Sequence, residues 1–371
     1  MSSFAVNSNA VPPAPPAGKT NRMFSLTFRP RSDERIVDVC RRIARALAEI
    51  SATPLHLLIF GDCRAHAATA DALEKYLPDT PMTWAQGSAR GGRAIAGIQI
   101  HAFTGQVDRF AIGGRVVASV FMDGGARQCI VGGLPPSDKM LARADQTRAA
   151  IGDLQKILAS AGFDIVDTVR TWFFLEDILS WYDGFNAART KSYSGVKFHT
   201  GSLPASTGIG ASNPAGAALT LAAWAFRPLA KNSYAEEVAS PLQCPAPAYG
   251  SSFSRAMEIS ANGGRRLFIS GTASIAPGGE TLWAGDIRKQ VETTMAVVGA
   301  MLISRRFTPA QITRATAYFR RAADMGAFSD WLAANGLANM PVVAAQCDIC
   351  RDDLLFELEA EAEMENGVVS G

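Results

Sequence analysis

The last strand-forming segment of the chain alternates between apolar and acidic residues. In "DICRDDLLFELEAEAE" (residues 348–363), three apolar side chains fall on one face of an extended segment: Leu354, Phe356 and Leu358. Successive side chains of a strand point to opposite faces. The other face therefore carries three carboxylates, those of Glu357, Glu359 and Glu361. This pattern is typical of a half-solvated strand, but it also fits a buried carboxylic acid with a catalytic role.

Helical and strand patterns follow one another in a fixed order between residues 146 and 226. A helical stripe of apolar residues from Ile151 to Leu158 ends at Gly162. The strand "DTVRTWFFL" follows, and then a second helix over 178–193. Two further strands joined by a turn over 212–216 complete the unit, and we expect them to form a hairpin.

The same order of elements occurs three times along the chain. It recurs over 288–363, and a shorter copy precedes both over 34–103. The second and third copies open with additional strands, which are reduced to "MFSLTFRP" in the first. We therefore predict an α+β fold of three tandem units with a truncated first unit. The predicted division is a disordered segment 1–22, units 23–108 and 109–232, a linker 233–248, and a third unit 249–371.

Each unit should form one sheet with two helices on one face, so the bare face of each sheet must be buried elsewhere. Three units in one chain suggest that the three bare faces meet at a central axis. Glu357 and its neighbours would then point toward this axis rather than toward water. A chain of this kind should be a monomer or at most a weak dimer.

Composition narrows the classes of partner. The net charge is +2 with 19% charged residues, which argues against a nucleic-acid-binding surface. No apolar run is long enough to span a bilayer and no signal peptide is visible, so we expect a cytoplasmic protein without a membrane partner. Cys347 and Cys350 form a C-x-x-C pair, but the four histidines lie far from it in sequence. We therefore expect no metal site.

The three units differ at the position of the first acidic residue. Glu357 stands where the second unit has Thr220, so one equivalent position alone carries this carboxylate. Partial desolvation on an inner face would raise the pKa of Glu357 and keep it protonated, as a general acid requires. Glu359 and Glu361 lie further along the strand, and we expect them to be solvated or ion-paired.

The repeated unit resembles the Rid (YjgF-like, or chorismate-mutase-like) fold, whose members are usually homotrimers with sites at subunit interfaces. Three fused units imply a monomer that imitates such a trimer. The third unit in particular is similar to the chorismatases, in the segments "FSRA" (253–256), "FISGTASI" (268–275) and "CRDDLLFELE" (350–359). The connections at 240–252 and 175–189 are shorter than is usual in that family.

This resemblance implies roles for individual residues and no cofactor. Glu357 would be the catalytic acid, and Cys350 a pocket residue of the branch that forms 3-hydroxybenzoate. The implied substrate-binding residues are Tyr182, Arg189, Thr207, Arg255, Gly271 and Thr272. Tyr182 and Arg189 are seven residues apart, which places both on one helix face.

Ordinary Rid enzymes hold the substrate carboxylate with an arginine near the start of the next-to-last strand. Val343, Ser206 and Thr83 occupy this position in the three units, and none can clamp a carboxylate. We therefore expect chorismatase-type hydrolysis of the enolpyruvyl ether of chorismate, a small anionic substrate, releasing pyruvate and a hydroxybenzoate or dihydrodiol acid. The alternatives are a hydrolase of another enol ether, enamine or imine in secondary metabolism, and a non-catalytic small-ligand binder.

Overall fold

The computed structural model describes residues 21–89, 93–261 and 264–365. Residues 1–20 of the segment predicted to be disordered lie outside these ranges. The first unit consists of β1 (Met23–Phe28), α1 (Ile36–Glu49), β2 (Thr53–Gly61), α2 (His66–Tyr76), β3 (Met82–Gln86) and β4 (Ile95–Phe103). Its four strands form one sheet in the order β1-β4-β2-β3.

The second and third units each form a six-stranded sheet. The second contains β5 (Val107–Ile112), β6 (Arg115–Asp123), β7 (Ala126–Leu134), α3 (Arg143–Ser160), β8 (Thr168–Leu175), α4 (Tyr182–Tyr193), β9 (Ala205–Gly210) and β10 (Leu219–Pro228). The third contains β11 (Tyr234–Val238), β12 (Ala256–Ala261), β13 (Gly264–Ala273), α5 (Ile287–Ser304), β14 (Ile312–Phe319), α6 (Met325–Ala334), β15 (Val342–Gln346) and β16 (Phe356–Glu365).

The sheet orders β5-β6-β7-β10-β8-β9 and β11-β12-β13-β16-β14-β15 are the same arrangement. The first sheet has the same arrangement but lacks the two strands that correspond to β5 and β6 at one edge. The α+β architecture of three repeated units with a truncated first unit is therefore confirmed. The linker expected over 233–248 contains β11, which pairs with β12 at the edge of the third sheet.

The hairpin predicted for the last two strands of each unit is wrong. β14 lies between β15 and β16, pairing in parallel with the former and antiparallel with the latter. The other two sheets repeat this order. The connections 211–218 and 347–355 are much longer than the tight loops of hairpins, so each can cross the end of the intervening strand.

The helices cover one face of each sheet, and the other faces meet in the middle of the molecule. Each helix-covered face forms a separate hydrophobic cluster, whereas a fourth cluster contains only strand and connecting residues from all three sheets. At its centre the ring of Phe60 lies 5.9 Å from that of Phe174 and 5.8 Å from that of Tyr318. These three residues come from different sheets, so the predicted central axis is confirmed.

Strand pairing shows which residues of the three units are equivalent around this axis. Phe60, Phe174 and Tyr318 stand opposite Gly97, Thr220 and Glu357, respectively. Glu357 therefore does correspond to Thr220. The next two inward positions are occupied by Gln99, Ala222 and Glu359, and then by His101, Trp224 and Glu361. Among the described helices, none is long and apolar enough to cross a membrane.

Candidate active site

A cavity of about 200 Å³ lies at the interface between the second and third units. Helix α4 and strand β9 form one wall, and β13, β16 and the segment before β12 form the other. The lining includes six of the candidate residues, namely Tyr182, Arg189, Arg255, Gly271, Cys350 and Glu357. Residues distant in sequence are therefore brought together at an interface, as in a trimer with sites between subunits.

The carboxyl group of Glu357 is buried but accepts no hydrogen bond from the described residues. Its side chain is 5% exposed. The carboxyl packs so closely against Gly271 that a Cβ there would lie 2.0 Å from Oε1, which only glycine permits. Burial and, next, the charge of Glu359 raise the pKa of Glu357 to about 8, against the opposing effect of Arg255 and Arg170. Glu357 is therefore mainly protonated near neutrality.

Three guanidinium groups surround the cavity and alternate with aromatic rings. Arg189 and Arg255 lie 5.7 and 5.6 Å from the ring centre of Phe253. Arg255 and Arg351 lie 5.3 and 5.8 Å from the ring centre of Tyr249. Cation–π contacts of this kind stabilise a desolvated guanidinium only in part.

None of these three arginines has a carboxylate partner among the described residues. Arg189 donates to the side-chain oxygen of Asn186 (2.7 Å), and Arg255 and Arg351 donate to backbone carbonyls. The buried Nε of Arg189 and Nη2 of Arg255 have no hydrogen-bond partner. Burial lowers the pKa of Arg189. Buried cations without counterions are costly, so the cavity is suited to a ligand with more than one negative charge.

Cys350 and Tyr182 also line the cavity, and both interact electrostatically with Glu357. Burial and the nearby Glu357 raise the pKa of Cys350 to about 12, and a hydrogen bond with Tyr182 opposes this shift only in part. Burial also raises the pKa of Tyr182. Both groups are therefore neutral, and Cys350 is a thiol rather than a nucleophilic thiolate.

Two of the candidate residues do not line the cavity. The Thr207 hydroxyl accepts hydrogen bonds from Gly271 N (3.0 Å) and Arg170 (2.6 Å) and donates to Glu359 (2.6 Å). The Thr272 hydroxyl donates to the Ser270 carbonyl (2.8 Å). Each hydroxyl therefore donates its proton within the protein, and the expectation that these two residues contact substrate stays a prediction.

Similarity to known proteins agrees with this geometry. No protein-family model matches the chain. The 3-hydroxybenzoate synthase of Streptomyces hygroscopicus is 27% identical over 255 residues, which cover 62% of this chain and 71% of that protein. The chorismatase of the same organism is 27% identical over 239 residues, covering 58% of this chain and 67% of that protein. A crystal structure of a chorismatase superposes with a TM-score of 0.67 at 20% identity, covering 93% of this chain and 100% of the other.

The chain has the chorismatase fold. The resemblance inferred from the sequence segments is therefore confirmed by whole-chain comparison. The match over 93% of the chain includes far more than the third unit, in which the resemblance was first noted.

Within this chorismatase fold, Glu359 and Glu361 are buried rather than solvated. Glu359 pairs with Arg170 (2.6 Å) and Arg314 (3.3 Å). Glu361 pairs with Arg314 (2.6 Å), His101 (2.9 Å) and Arg266 (2.9 Å). Of the two alternatives expected for these side chains, solvation or ion pairing, the structure shows ion pairing for both.

The other two interfaces of the chorismatase fold lack the acid. A cavity of about 570 Å³ between the first and second units has Thr220 in place of Glu357 and Trp84 at the strand position of Gly208. At the interface between the third and first units, Val343 packs so closely on Gly97 that a Cβ there would lie 2.4 Å away. Glu357 is thus a feature of one interface in three.

Strand pairing also corrects one alignment made from the sequence. Thr83, Thr207 and Val343 stand opposite the equivalent residues Leu58, Trp172 and Thr316. Thr207, and not Ser206, therefore corresponds to Val343 and Thr83. None of these residues is an arginine, so the conclusion that this carboxylate clamp is missing is unchanged.

Sequence reasoning missed Tyr249 and Phe253, whose rings separate the arginines, and Asn186, which orients Arg189. Tyr249 ends a short 3₁₀ turn (Ala246–Tyr249), and Gly250 follows with φ of +84°. The Tyr-Gly pair after a proline-rich stretch is the signal that could have indicated an ordered turn here.

Among the described residues, no group of three or more His, Cys, Asp or Glu side chains could hold a metal ion. Cys347 of the C-x-x-C pair contacts the Gln86 carbonyl through its Sγ (3.6 Å).

Proposed function

We propose that this chain is a chorismatase-type enzyme. It would cleave the enolpyruvyl ether of chorismate and release pyruvate with a hydroxybenzoate or a dihydrodiol acid. The observation that carries this proposal is the Glu357 carboxyl, which is protonated, unengaged and directed into a cavity rimmed by arginines without counterions. The names of the two Streptomyces hygroscopicus relatives support the same substrate.

The chemistry follows from the charges of the cavity. Chorismate carries two carboxylates, and Arg189 and Arg255 supply two buried cations, 5.7 and 5.6 Å from the ring centre of Phe253. Glu357 would transfer its proton to the terminal vinyl carbon and so create an oxocarbenium-like centre next to the ether oxygen. The resulting carboxylate stabilises this positive charge electrostatically in a site that excludes most water. A positioned general acid typically contributes about 10²–10⁴-fold.

Two routes complete the reaction. Water can attack the cationic centre, with its proton returning to Glu357, and collapse of the hemiketal then releases pyruvate and the dihydrodiol acid. Alternatively, the neighbouring ring hydroxyl attacks the cationic centre and its proton returns to Glu357. Loss of a ring hydrogen as a proton and cleavage of that hydroxyl's ring C–O bond then aromatise the ring, and the remaining hemiketal collapses to pyruvate and a hydroxybenzoate. Cys350 lies on the wall of the cavity as a neutral thiol, consistent with the implied role of this position in the second route.

The test is pyruvate release from chorismate by the wild-type protein and by Glu357→Gln. The amide is nearly isosteric but cannot supply the proton, so turnover should fall by about 10²-fold or more. Binding of 3-hydroxybenzoate, measured by calorimetry, should persist. Wild-type turnover should also decrease as the pH rises through about 8, where Glu357 ionises. Equal turnover in the two proteins would refute the assignment of Glu357.

Hydrolysis of another enol ether, enamine or imine is the second candidate function. It is favoured by the short connections at 240–252 and 175–189, which border the cavity at Tyr249, Tyr182 and Arg189. Chorismate binding without pyruvate release by the wild-type protein would support this candidate. Failure of every such compound to turn over, with benzoates still bound, would indicate a non-catalytic binder.

A further inference from the structure

Glu359 lies directly beneath Glu357 on the same strand and is fully buried. Its oxygens accept hydrogen bonds from Arg170 (2.6 Å) and Thr207 (2.6 Å) on one side and from Arg314 (3.3 Å) on the other. The Thr316 hydroxyl shares its one proton between Glu359 (3.2 Å) and the side-chain oxygen of Gln99 (3.0 Å). A carboxylate has about four acceptor sites, so this set of donors matches the ionised form. Glu359 is therefore a fixed negative charge one pleat below the proposed acid.

Thr207 connects Glu359 to the wall of the cavity. Its hydroxyl donates to Glu359 and accepts from the backbone N–H of Gly271 (3.0 Å). Gly271 is the residue on which the Glu357 carboxyl rests, and the Thr207 methyl lies 3.3 Å from the Cβ position of Gly271. Glu359, Thr207 and Gly271 thus form a continuous set of contacts that ends at the Glu357 carboxyl.

The interface between the first and second units has the same threonine–glycine hydrogen bond but not the buried carboxylate. There, Thr83 also accepts from a glycine N–H, that of Gly133 (2.8 Å). The partner of Thr83 is His56 (2.7 Å), which has the strand position of Arg170, and Ala222 stands in place of Glu359. The threonine–glycine bond is therefore shared, whereas the buried carboxylate occurs at the interface that carries the acid.

We infer that Glu359 is a positioning residue for Glu357. Its negative charge keeps the proton on Glu357, and its hydrogen bond to Thr207 holds Gly271 against the Glu357 carboxyl. The inference rests on the proposed function, in which Glu357 is the acid. The other titratable or charged groups that face Glu357 are Arg170 on β8, Arg255 before β12, Tyr318 on β14, Tyr182 on α4 and Cys350 before β16.

The test compares the pH dependence of turnover in the wild-type protein and in Glu359→Gln. Alternate residues of a strand lie about 7 Å apart, and unit charges at that distance in a protein shift each other's titration by between about one and two pH units. Without the negative charge, the alkaline limb should move down by at least about one unit from its wild-type position near pH 8. Turnover at pH 5.5 should stay within a few-fold of wild type, because the amide oxygen introduced by the substitution can still accept the hydrogen bond from Thr207.

Glu361→Gln is the matched control, because Glu361 is equally buried and also ion-paired, but lies two residues further along the strand. It should lower the melting temperature and move the alkaline limb at most about half as far as Glu359→Gln does, because unit charges twice as far apart interact half as strongly. An unmoved limb in Glu359→Gln, or equal shifts in both variants, would overturn the inference.

A second variant covers the case in which Glu359→Gln does not fold. Thr207→Val should fold, since Val343 stands at the equivalent strand position of the third unit. It should lower kcat by about tenfold or more with unchanged KM, because Gly271 is no longer held. An unchanged kcat would overturn the inference.

The pH dependence of 3-hydroxybenzoate binding provides a readout that does not require turnover. Ionised Glu357 repels the ligand carboxylate, so the dissociation constant should rise through the same midpoint, and that midpoint should be lower in Glu359→Gln. If the wild-type protein released no pyruvate but showed this shift, the proposed function would fail and the inference would hold. A midpoint that is the same in both proteins would overturn the inference even if chorismate is cleaved.

Discussion

Arg189 and Arg314 are two equally buried arginines whose replacement should change stability in different ways. Each is 2% exposed. Arg314 pairs with Glu359 and Glu361, whereas Arg189 has no carboxylate partner among the described residues. Methionine has a similar length and no charge, so Arg189→Met and Arg314→Met remove the same kind of group from two different electrostatic environments.

The expected magnitudes follow from what each substitution leaves behind. Arg314→Met leaves two buried carboxylates with one fewer cation, and breaking a buried pair in this way costs about 3–5 kcal/mol. Arg189→Met removes a cation without a counterion, which is favourable, but it leaves the side-chain oxygen of Asn186 without its donor, a loss of about 1–3 kcal/mol. The free energy of unfolding should therefore change little in Arg189→Met. It should be higher than that of Arg314→Met by about 3 kcal/mol or more.

Calorimetric unfolding measures this difference. In a chain of this size, 1 kcal/mol corresponds to about 2 °C or somewhat less, so the two variants should differ in Tm by about 4–6 °C. Binding should show the opposite order. Loss of a charge-assisted contact of about 1.5–3 kcal/mol in Arg189→Met should weaken 3-hydroxybenzoate binding by about 10- to 100-fold. Arg314→Met, to the extent that it folds, should bind the ligand more nearly as wild type does.

Two results would refute this reasoning. Equal destabilisation by both substitutions would mean that Arg189 is stabilised in the free protein as well as Arg314 is. Unchanged ligand affinity in Arg189→Met would mean that this cation does not face the bound anion. Either result would remove the main electrostatic argument for an anionic substrate.

Two further predictions concern assembly and product. Because three sheets already close around one axis, the protein should sediment as a monomer or at most a weak dimer, and a stable trimer in light scattering would contradict this expectation. Cys350→Ala should retain pyruvate release within about tenfold but change the ratio of hydroxybenzoate to dihydrodiol acid, measured chromatographically; an unchanged ratio would show that Cys350 does not direct the second step.

Local patterns were sufficient to predict the repeated unit and its central axis. The helical stripe that begins at Ile151 and the alternation around Glu357 are set by neighbours within a few residues, and the structure has both. The asymmetry between Glu357 and Thr220 was also visible, because it requires only an alignment of the units.

Features that depend on strand pairing or on contacts between units could not be predicted in this way. The hairpin prediction was wrong because β14 lies between β15 and β16 in the sheet. The order of the strands depends on how they pair, and the sequence of the connecting turn does not determine it. Glu359 was not recognised as buried, since its partner Arg170 lies 189 positions away in another unit. The role of Thr207 as an internal contact depends on the same buried pair.

The residues around the axis show what fusion of the units permits. In a trimer of identical chains, every residue on the axis meets two copies of itself. A carboxylate at the position of Glu361 would then face two others, and an imidazole could not stand beside it at the same level. Here the same level holds Glu361, His101 and Trp224, and the carboxylate and the imidazole form a hydrogen bond of 2.9 Å. A mutation in one unit appears once rather than three times, so a single chain can place three different side chains at one level of its axis, which a symmetric assembly cannot do.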